Sequence, residues 1–340
     1  MRTLTVATAR PYDVEIGGGL IDSAGDICGC LDARRSFIVT DNTAAQLYLD
    51  RLRTALNMPC EAFIAAPGEE HKNHATLLSI YEAMAECNFT RRDVVFALGG
   101  GTVTDMAGFA AATYMRGVRL VMCPTTIVAQ ADAAVGGKCA VNIGSGKNLV
   151  GAFKQPEMVI ADTDTLATLP AREYASGMAE IVKCACIASS GLFEYIATGG
   201  DDMERLIYAA CDIKRRYVER DELDMGERHM LNFGHTLGHA MERAGGFAIT
   251  HGEAVAIGMV YAARLGEMLD VTQEGTEKKL IMVLEALGLP TRFEGDMNEV
   301  YNNLAFDKKA DGSSIDAVLL RHIGSAVRVA LKREEFKKVL

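Results

Sequence analysis

Short β-branched runs alternate with helical patterns through the first half of the chain, and this alternation restricts the fold more than any other feature. Strands that alternate with helices form βαβ units and therefore a parallel sheet, which binds ligands at the carboxyl ends of its strands. The sequence thus predicts an α/β domain. The predicted strands are residues 36–40, 60–65, 94–98 and 118–123, and the predicted helices are residues 44–55 and 74–87.

The second half changes character after about residue 162, where apolar residues recur mainly at three- and four-residue spacing. We therefore predict an α/β domain over residues 1–162 and a mostly α-helical domain over residues 163–340. The predicted helices of the second domain are residues 172–189, 203–219, 227–243, 252–269 and 276–287, and its predicted strands are residues 317–320 and 326–330.

Composition argues against several classes of partner. The net charge of −10 argues against a broad attraction to nucleic acid or to an anionic membrane. No apolar run approaches the ~20 residues that span a bilayer, and the first residues carry no signal-peptide pattern. The nine cysteines form no C-x-x-C pair, so we expect reduced, mostly buried thiols. We expect a cytoplasmic protein that binds neither nucleic acid nor membrane.

Three glycines, Gly99, Gly100 and Gly101, follow a predicted strand directly and precede a helical pattern. Glycines at such a junction let backbone N–H groups approach a pyrophosphate at a helix N-terminus. The spacing is not G-x-G-x-x-G, so a tight strand-to-helix turn explains it equally well. Asp41 ends an earlier strand and has a carboxylate that can bind a ribose, although a helix N-cap is the better interpretation of this residue alone.

Four of the seven histidines, His229, His235, His239 and His251, fall within 23 residues. His235 and His239 stand four apart and so share one face of a helix, and His251 opens the next helix. Neutral imidazoles clustered in this way are typical of a zinc site, whereas a single helical histidine is usually an ordinary core or surface residue. The pattern favours a metal or catalytic site. A catalytic zinc often takes a carboxylate as third ligand, which spacing does not identify.

Three lysines lie among glycines or apolar residues in an otherwise acidic chain. Lys138 follows two glycines, Lys147 stands between Gly146 and Asn148, and Lys183 lies on an apolar helix. The aliphatic part of each lysine side chain can extend so that the ammonium reaches solvent, which is a reasonable explanation for Lys183. For Lys138 and Lys147 this explanation is weaker, because their neighbouring glycines allow a ligand to approach closely. A buried ammonium needs an anionic partner, so we predict a phosphate or carboxylate ligand.

Seven motifs occur in order along the chain: PGEEHKN, LGGGTVTDMAGFAAATYMRG, PTTIVAQADAAVGGKCAVNIGSGKNLVGAF, TLPAREYASGMAEIVK, RHMLNFGHTLGHAME, HGEAVAIGM and DKKADG. By these motifs the chain resembles the 3-dehydroquinate synthase family over about residues 12–331. The resemblance implies an N-terminal NAD-binding α/β domain and a helical C-terminal domain that holds zinc, for which cobalt can substitute. It also implies a homodimer.

The reaction implied by the resemblance converts 3-deoxy-D-arabino-heptulosonate 7-phosphate into 3-dehydroquinate and phosphate. NAD oxidises a ring hydroxyl transiently, phosphate is eliminated, the ketone is reduced again, and the opened ring closes as a carbocycle. NAD is thus regenerated in every turnover.

The resemblance also implies a role for each matched position. The implied zinc ligands are Glu180, His235 and His251, and His239 would instead contact the substrate. The implied NAD contacts are Asp41, Glu69, Lys72, Gly100, Gly101, Asp105, Thr125, Thr126, Lys138 and Lys147. The implied substrate or catalytic positions are Asp132, Lys138, Lys147, Asn148, Lys183, Lys214, Asp224, Arg228, Asn232 and His239. Arg116 is implied to reach the site of the neighbouring subunit, and either Lys308 or Lys309 to contact phosphate.

Two positions depart from the family pattern. Thr104 stands where many relatives have glycine, and Asp224 stands where they usually have glutamate. The first change can alter how closely a pyrophosphate is held, and the second shortens a carboxylate by one methylene. Neither removes a functional group, so the sequence still predicts an active enzyme.

Three other functions remain as alternatives. Another sugar phosphate cyclase, such as a 2-deoxy-scyllo-inosose or valiolone-type synthase, would keep the fold, but Lys138, Lys214 and Arg228 favour a substrate with a carboxylate. A metal-dependent polyol dehydrogenase would need fewer cations. A binding protein without catalysis is disfavoured, because the matched positions retain competent groups.

Overall fold

The structure, a computed structural model, describes residues 1–144, 146–246, 248–304, 310–311 and 314–340. The chain divides into two units. The first comprises Met1–Leu169 and Met203–Leu223, and the second comprises Pro170–Asp202 and Asp224–Leu340.

The strands of the first unit include the parallel sheet predicted from the sequence. These strands are β1 (Arg2–Val6), β2 (Tyr12–Gly17), β3 (Ser36–Asp41), β4 (Cys60–Ala65), β5 (Val94–Gly99), β6 (Arg119–Pro124), β7 (Lys138–Ile143), β8 (Gly146–Phe153) and β9 (Met158–Asp162). Seven of them form one sheet in the order β1–β2–β9–β6–β5–β3–β4. Its first pair is antiparallel and the others are parallel. β7 and β8 form a separate antiparallel pair.

The described α-helices cover the sheet of the first unit and make up most of the second. In chain order they are α1 (Ala24–Ile27), α2 (Asn42–Ala44), α3 (Asp50–Leu56), α4 (His74–Glu86), α5 (Gly101–Thr113), α6 (Ala171–Ala188), α7 (Ser190–Ala197), α8 (Met203–Arg220), α9 (His235–Ala244), α10 (His251–Met268), α11 (Thr276–Ala286) and α12 (Met297–Asn303). None of the helices within the described ranges combines the length and apolarity that crossing a membrane requires.

The core of the first unit lies on both faces of its sheet. Every residue of β5 is buried, as expected of a central parallel strand covered by helices on both sides. On one face Tyr48 and Leu52 pack in a buried cluster with Ile38, Phe96 and Ile160.

The second unit carries a small antiparallel sheet beside its helices. Its strands are β10 (Ala310–Asp311), β11 (Ser314–His322) and β12 (Ser325–Lys332), in that order. The two strands predicted near the C-terminus lie within β11 and β12. Together with the helices, they confirm an α/β part followed by a mostly helical part.

Helix α8 corrects the predicted division into domains. The sequence placed this segment in the second domain, but α8 belongs to the first unit. Glu219 accepts a hydrogen bond from the Ala7 backbone N–H at 2.8 Å, and Lys214 Nζ donates to both the carbonyl and the carboxylate of Asp132 at 2.6 Å. These partners stand 82 or more residues earlier, so local periodicity gives no sign of them.

The predicted helix over residues 227–243 is also wrong as a single element. A 3₁₀ segment, Glu227–Asn232, precedes α9, and Gly234 separates them with a φ of +81°. A Cβ at Gly234 would lie 2.8 Å from the Val255 carbonyl oxygen. Backbone conformation and the neighbouring helix α10 therefore both require glycine here. The break makes His235 the first residue of α9.

Candidate active site

Three helices of the second unit bring a carboxylate and three imidazoles together. Glu180 lies in the middle of α6, His235 and His239 occupy the first two turns of α9, and His251 is the first residue of α10. Potential ligand atoms of the three histidines all lie within 4.8 Å of one another. The structure therefore assembles the histidine pair predicted from spacing with His251 and Glu180.

The carboxylate of Glu180 is the centre of this cluster. Its Oε1 lies 3.3 Å from His251 Nε2 and 3.7 Å from His235 Nε2. That oxygen is buried and makes no aligned hydrogen bond with any described residue, whereas Oε2 accepts one from Lys183. A buried carboxylate oxygen without such a partner is costly. One carboxylate oxygen facing two imidazole nitrogens is a donor set that suits a divalent cation such as zinc.

Glycines allow the three helices to approach this closely. A Cβ at Gly252 would lie 1.9 Å from the Ser176 carbonyl oxygen, and a Cβ at Gly258 would lie 2.0 Å from the Gly234 carbonyl oxygen. Real Cβ atoms do not come so near to backbone, so α10 contacts its neighbours through main chain at both positions. Gly252 and Gly258 therefore set the distance between the helices.

The hydrogen bonds around the histidines orient their rings. His235 Nδ1 donates to the Phe233 carbonyl oxygen at 3.2 Å, which leaves Nε2 facing Glu180. The Nδ1 of His251 lies 3.7 Å from Glu242 Oε1. Such partners on the outer ring nitrogen are usual for metal-binding histidines. Sequence reasoning missed Glu242, although it stands three residues after His239 on the same side of α9.

A capping box fixes the first turn of α10, where His251 lies. Thr250 accepts a hydrogen bond from the Glu253 N–H at 3.3 Å, and the Glu253 carboxylate accepts one from the Thr250 N–H at 2.7 Å. Arg172 of α6 donates twice to the same carboxylate, each at 2.7 Å. The start of α10 is thus tied both to its own cap and to α6.

The charges of the cluster favour a cation at its centre. Burial opposes ionisation of Glu180, but the Lys183 ammonium and the His251 and His235 rings hold the pKa of this carboxyl well below its usual value. Burial and Lys183 lower the pKa of His235 well below its usual value, so this ring is neutral and has a lone pair to offer. Burial also works against a charged His251, yet Glu180 and Glu242 raise its pKa to about 10. The position between these two carboxylates attracts positive charge.

Further predicted residues of the second unit lie on or near the 3₁₀ segment. Arg228 is buried, with 1% of its surface exposed. Asn232 donates to the His229 carbonyl oxygen at 3.0 Å. His229 donates through Nε2 to the Asp224 carbonyl oxygen at 2.9 Å and places Nδ1 3.7 Å from Asp316. Of the four clustered histidines in the sequence, His229 therefore stands apart from the group formed by His235, His239 and His251.

In the first unit, Lys72 is the centre of a second polar cluster. Its ammonium donates to Asp105 Oδ2 at 2.5 Å and to Asn148 Oδ1 at 2.6 Å, and it lies 4.0 Å from Glu69. Lys72 is 4% exposed. Burial raises the pKa of the Asp105 carboxyl even though Lys72 opposes that shift. Four residues assigned to NAD or substrate by resemblance are thus brought together.

Asn142 joins these residues and was missed by sequence reasoning. Its amide donates to Glu69 Oε1 at 2.9 Å and accepts from the Asn148 backbone N–H at 2.8 Å. Its own backbone N–H donates to the Lys72 carbonyl oxygen at 2.8 Å. Asn148 has a φ of +53°, so this bond holds a backbone conformation that a non-glycine residue rarely adopts. Thr102, also missed, donates to Glu69 Oε2 at 2.9 Å.

The glycine loop after β5 leads directly into α5, which is the strand-to-helix junction that the sequence predicted. Gly100 is the N-cap of α5 and has no side chain to accept a first-turn N–H. A Cβ there would lie 3.2 Å from the Thr126 methyl group, and the Gly99 carbonyl accepts from the Thr125 N–H at 2.9 Å. Asp41 accepts from the Ala44 N–H at 2.9 Å, so it is the N-cap that its position suggested.

The remaining predicted residues of the first unit differ in burial. Lys214 is buried and paired with Asp132, as described above. Lys147 is half-buried in β8, Lys138 begins β7 and is exposed, and Arg116 is exposed in a turn. Gly101 begins α5. Lys308 and Lys309 lie outside the described residues.

Comparisons with known proteins identify a family. Residues 62–176 match the family model described as 3-dehydroquinate synthase N-terminal, and residues 177–310 match the one described as 3-dehydroquinate synthase C-terminal. A 3-dehydroquinate synthase of Neisseria gonorrhoeae (strain NCCP11945) is 41% identical, over 96% of this chain and 95% of the relative.

Two solved structures are similar in fold over nearly the whole chain. One is 2-deoxy-scyllo-inosose synthase complexed with carbaglucose-6-phosphate, NAD+ and Co2+, with a TM-score of 0.90, 26% identity and coverage of 99% of each chain. The other is the 2-epi-5-epi-valiolone synthase ValA from Streptomyces hygroscopicus subsp. jinggangensis 5008 with NAD+ and Zn2+ bound. Its TM-score is 0.89 at 27% identity, covering 100% of this chain and 97% of the other.

Proposed function

Since this chain belongs to the 3-dehydroquinate synthase family, we propose that it converts 3-deoxy-D-arabino-heptulosonate 7-phosphate into 3-dehydroquinate and phosphate. NAD serves as a catalyst that is regenerated in every turnover, and a divalent metal assists. The observation that carries the proposal is the buried Glu180 oxygen that faces His235 and His251. We further propose a cytoplasmic location.

Sequence similarity supports this substrate over those of other sugar phosphate cyclases. The Neisseria relative is 41% identical, whereas the two solved cyclases of other names are 26% and 27% identical.

The proposed metal ligands are Glu180, His235 and His251. These three side chains offer one carboxylate oxygen and two imidazole nitrogens, a set that fits zinc and leaves room for a substrate oxygen. The bound metal would act as a Lewis acid toward a substrate hydroxyl. His239 is not part of the proposed ligand set, and we propose that it binds the substrate and accepts or donates a proton there. Lys183 holds the second oxygen of Glu180 and thereby orients the carboxylate.

The proposed NAD contacts lie in the first unit. The loop at Gly100 and Gly101 lacks side chains and precedes α5, so its backbone N–H groups suit a pyrophosphate. Thr125 and Thr126 adjoin that loop, and Lys138 and Lys147 complete the proposed contacts. On Asp41 only one carboxylate oxygen is used by the helix cap, so the other can accept from a ribose hydroxyl.

The Lys72 cluster is proposed to hold the reactive part of cofactor and substrate in position. Lys72 is fixed by Asp105 and Asn148, and Glu69 is fixed by Thr102 and Asn142. Side chains held by such contacts lose little further entropy when a ligand binds. In the same unit, Lys214 and Asp132 form a second ion pair that we propose contacts the substrate.

Turnover with purified protein tests the function. With the heptulosonate phosphate, NAD and zinc, phosphate is expected to appear in step with 3-dehydroquinate while absorbance at the NADH wavelength stays flat. The physical reason is that the hydride returns to the substrate in the same turnover. NADH that accumulates in proportion to substrate consumed, with no phosphate, would instead indicate a dehydrogenase.

We also propose a homodimer in which Arg116 completes the partner's site. Met115 and Arg116 have φ values of +48° and +66°, and Arg116 extends into solvent from this turn without a partner among the described side chains. Two adjacent non-glycine residues in the left-handed region indicate a conformation kept for a function.

Mixing inactive variants tests the shared site. Arg116→Ala chains refolded with an equal amount of His239→Ala chains are expected to recover about a quarter of wild-type activity, because half the dimers are mixed and one site in each is intact. Each variant refolded alone is the control. Mixed dimers that form, as judged by a mass tag on one chain, yet remain inactive would contradict the proposal.

A further inference from the structure

Four arginines of the first unit line one cleft at the amino ends of the parallel strands. Arg34 precedes β3, Arg91 and Arg92 precede β5, and Arg119 begins β6. With Asp32 they enclose a cleft of about 380 Å³. Because β6, β5 and β3 are adjacent and parallel, their amino ends meet at one edge of the sheet. The glycine loop and Asp41 follow the carboxyl ends, so this arginine cleft is separate from the proposed NAD site.

The arginine cleft concentrates positive charge in an acidic chain. It carries four guanidinium groups and one carboxylate, in a protein whose net charge is −10. Guanidinium groups stay protonated at any physiological pH, so their mutual repulsion cannot be relieved by losing protons. Arg51 of the same unit shows the usual alternative, since it is paired with Asp22 through two hydrogen bonds. Among the described residues, none of the four arginines in the cleft forms an ion pair of this kind.

Main-chain carbonyls hold two of the arginines in place. Arg119 donates to the carbonyl oxygens of Leu31 and Arg92, and its Nε is buried without a hydrogen-bond partner among the described atoms. Arg91 donates twice to the Met115 carbonyl, at 2.8 and 2.5 Å. Carbonyl groups orient these guanidinium groups but do not cancel their charge. The positive charge of the cluster therefore remains available to an anionic ligand.

The other two arginines are available to a ligand. The side chains of Arg34 and Arg92 are exposed and make no hydrogen bond or ion pair with any described residue. An isolated surface arginine is simply solvated, but four arginines around one concave space can bind a single anion together. The planar guanidinium fork binds phosphate oxygens in pairs, and a few hundred Å³ is the usual volume of a small-molecule site.

We propose that the arginine cleft binds a small anion with two or more phosphoryl groups, such as an oligophosphate or a multiply phosphorylated metabolite. The fixed arginines, Arg91 and Arg119, form the base of the site, and Arg34 and Arg92 close around the ligand. This site does not depend on the proposed enzymatic function.

Calorimetric titration of the full chain with tripolyphosphate at 0.15 M salt tests the site. Wild type is expected to show a binding event that is lost or weakened at least tenfold in Arg34→Gln/Arg92→Gln, because half of the guanidinium groups are removed. The matched control, Arg2→Gln/Arg51→Gln, removes the same charge from two arginines paired elsewhere in this unit with Glu204 and Asp22. It is expected to bind as wild type does. Unfolding curves of all three proteins verify that they are folded.

Four outcomes would overturn the site. The first is that tripolyphosphate does not bind wild type. The second is equal weakening in both double variants, which reports net charge alone. The third is binding that both variants retain in full, which assigns the ligand to another place on the chain. A glutamate-rich peptide that binds where tripolyphosphate does not would make the cleft a protein-docking surface and would also refute the proposal.

Discussion

Replacing His235 or His251 by alanine is expected to remove the tightly bound divalent metal, whereas His239→Ala is expected to retain about one metal per chain and lose activity. The first two rings point Nε2 at the same Glu180 oxygen, 3.7 and 3.3 Å away. Loss of either leaves two ligands, too few for a stable zinc site. For His239→Ala we expect at least a roughly 100-fold fall in kcat, typical of a lost acid–base group.

His229→Ala is the matched control for the metal measurement. Its ring bonds to the Asp224 carbonyl and lies near Asp316, so metal content should not change. Metal analysis after gel filtration, with circular dichroism to verify folding, gives the readout. A folded His239→Ala protein without metal would show that the spacing-based pair, His235 and His239, holds the ion instead.

Gly258→Ala is expected to destabilise the protein by about 2–4 kcal/mol, the upper range for overpacking in a core. The added methyl group would meet the Gly234 carbonyl oxygen at 2.0 Å and the Gly238 nitrogen at 2.8 Å. Backbone cannot turn aside as a flexible side chain can, so α9 and α10 must separate. Urea unfolding followed by circular dichroism measures the loss, and metal content should fall with it.

Gly191→Ala provides the control for glycine replacement. Gly191 lies in α7, and a Cβ there would meet nothing within 4 Å. Alanine favours helix over glycine by up to about 1 kcal/mol, so stability should stay the same or rise slightly. If Gly258→Ala unfolds at the wild-type urea concentration, close backbone contact does not hold α9 against α10.

The sequence predicted those elements whose pattern is local and strong. The strands at 36–40, 60–65, 94–98 and 118–123 are apolar or β-branched, and the structure contains them as β3 to β6. The strands that the sequence did not predict are β1, β2, β7, β8, β9 and β10. Of these, β1 and β9 were missed for different reasons. β1 is an edge strand with three of five residues exposed, and β9 is a short run that follows no helix. Their identity depends on pairing with β2, which stands far from β9 in the sequence.

Prediction of the candidate site from the sequence was limited in the same way, by contacts between segments that are distant in the sequence. Helical spacing alone placed His235 and His239 on one face, but it contained no information that α6 would bring Glu180 to them. Family resemblance supplied that residue. Asn142 and Glu242 carry no motif of their own that spacing arguments recognise, and their importance appears only when Glu69, Asn148 and His251 are seen around them.

The capping box at the start of α10 has a consequence for motion. The first turn of a helix normally frays on a nanosecond to microsecond timescale, because its N–H groups lack intrahelical partners. His251 lies in that turn. There, however, Thr250 and Glu253 form hydrogen bonds with the backbone N–H groups at the start of the helix, and Arg172 anchors the turn to α6. The backbone that carries the His251 ring is therefore held by two packed helices and does not move as a loop does. If the proposed metal binds His251, its residence time would thus depend in part on a threonine hydroxyl that never touches it.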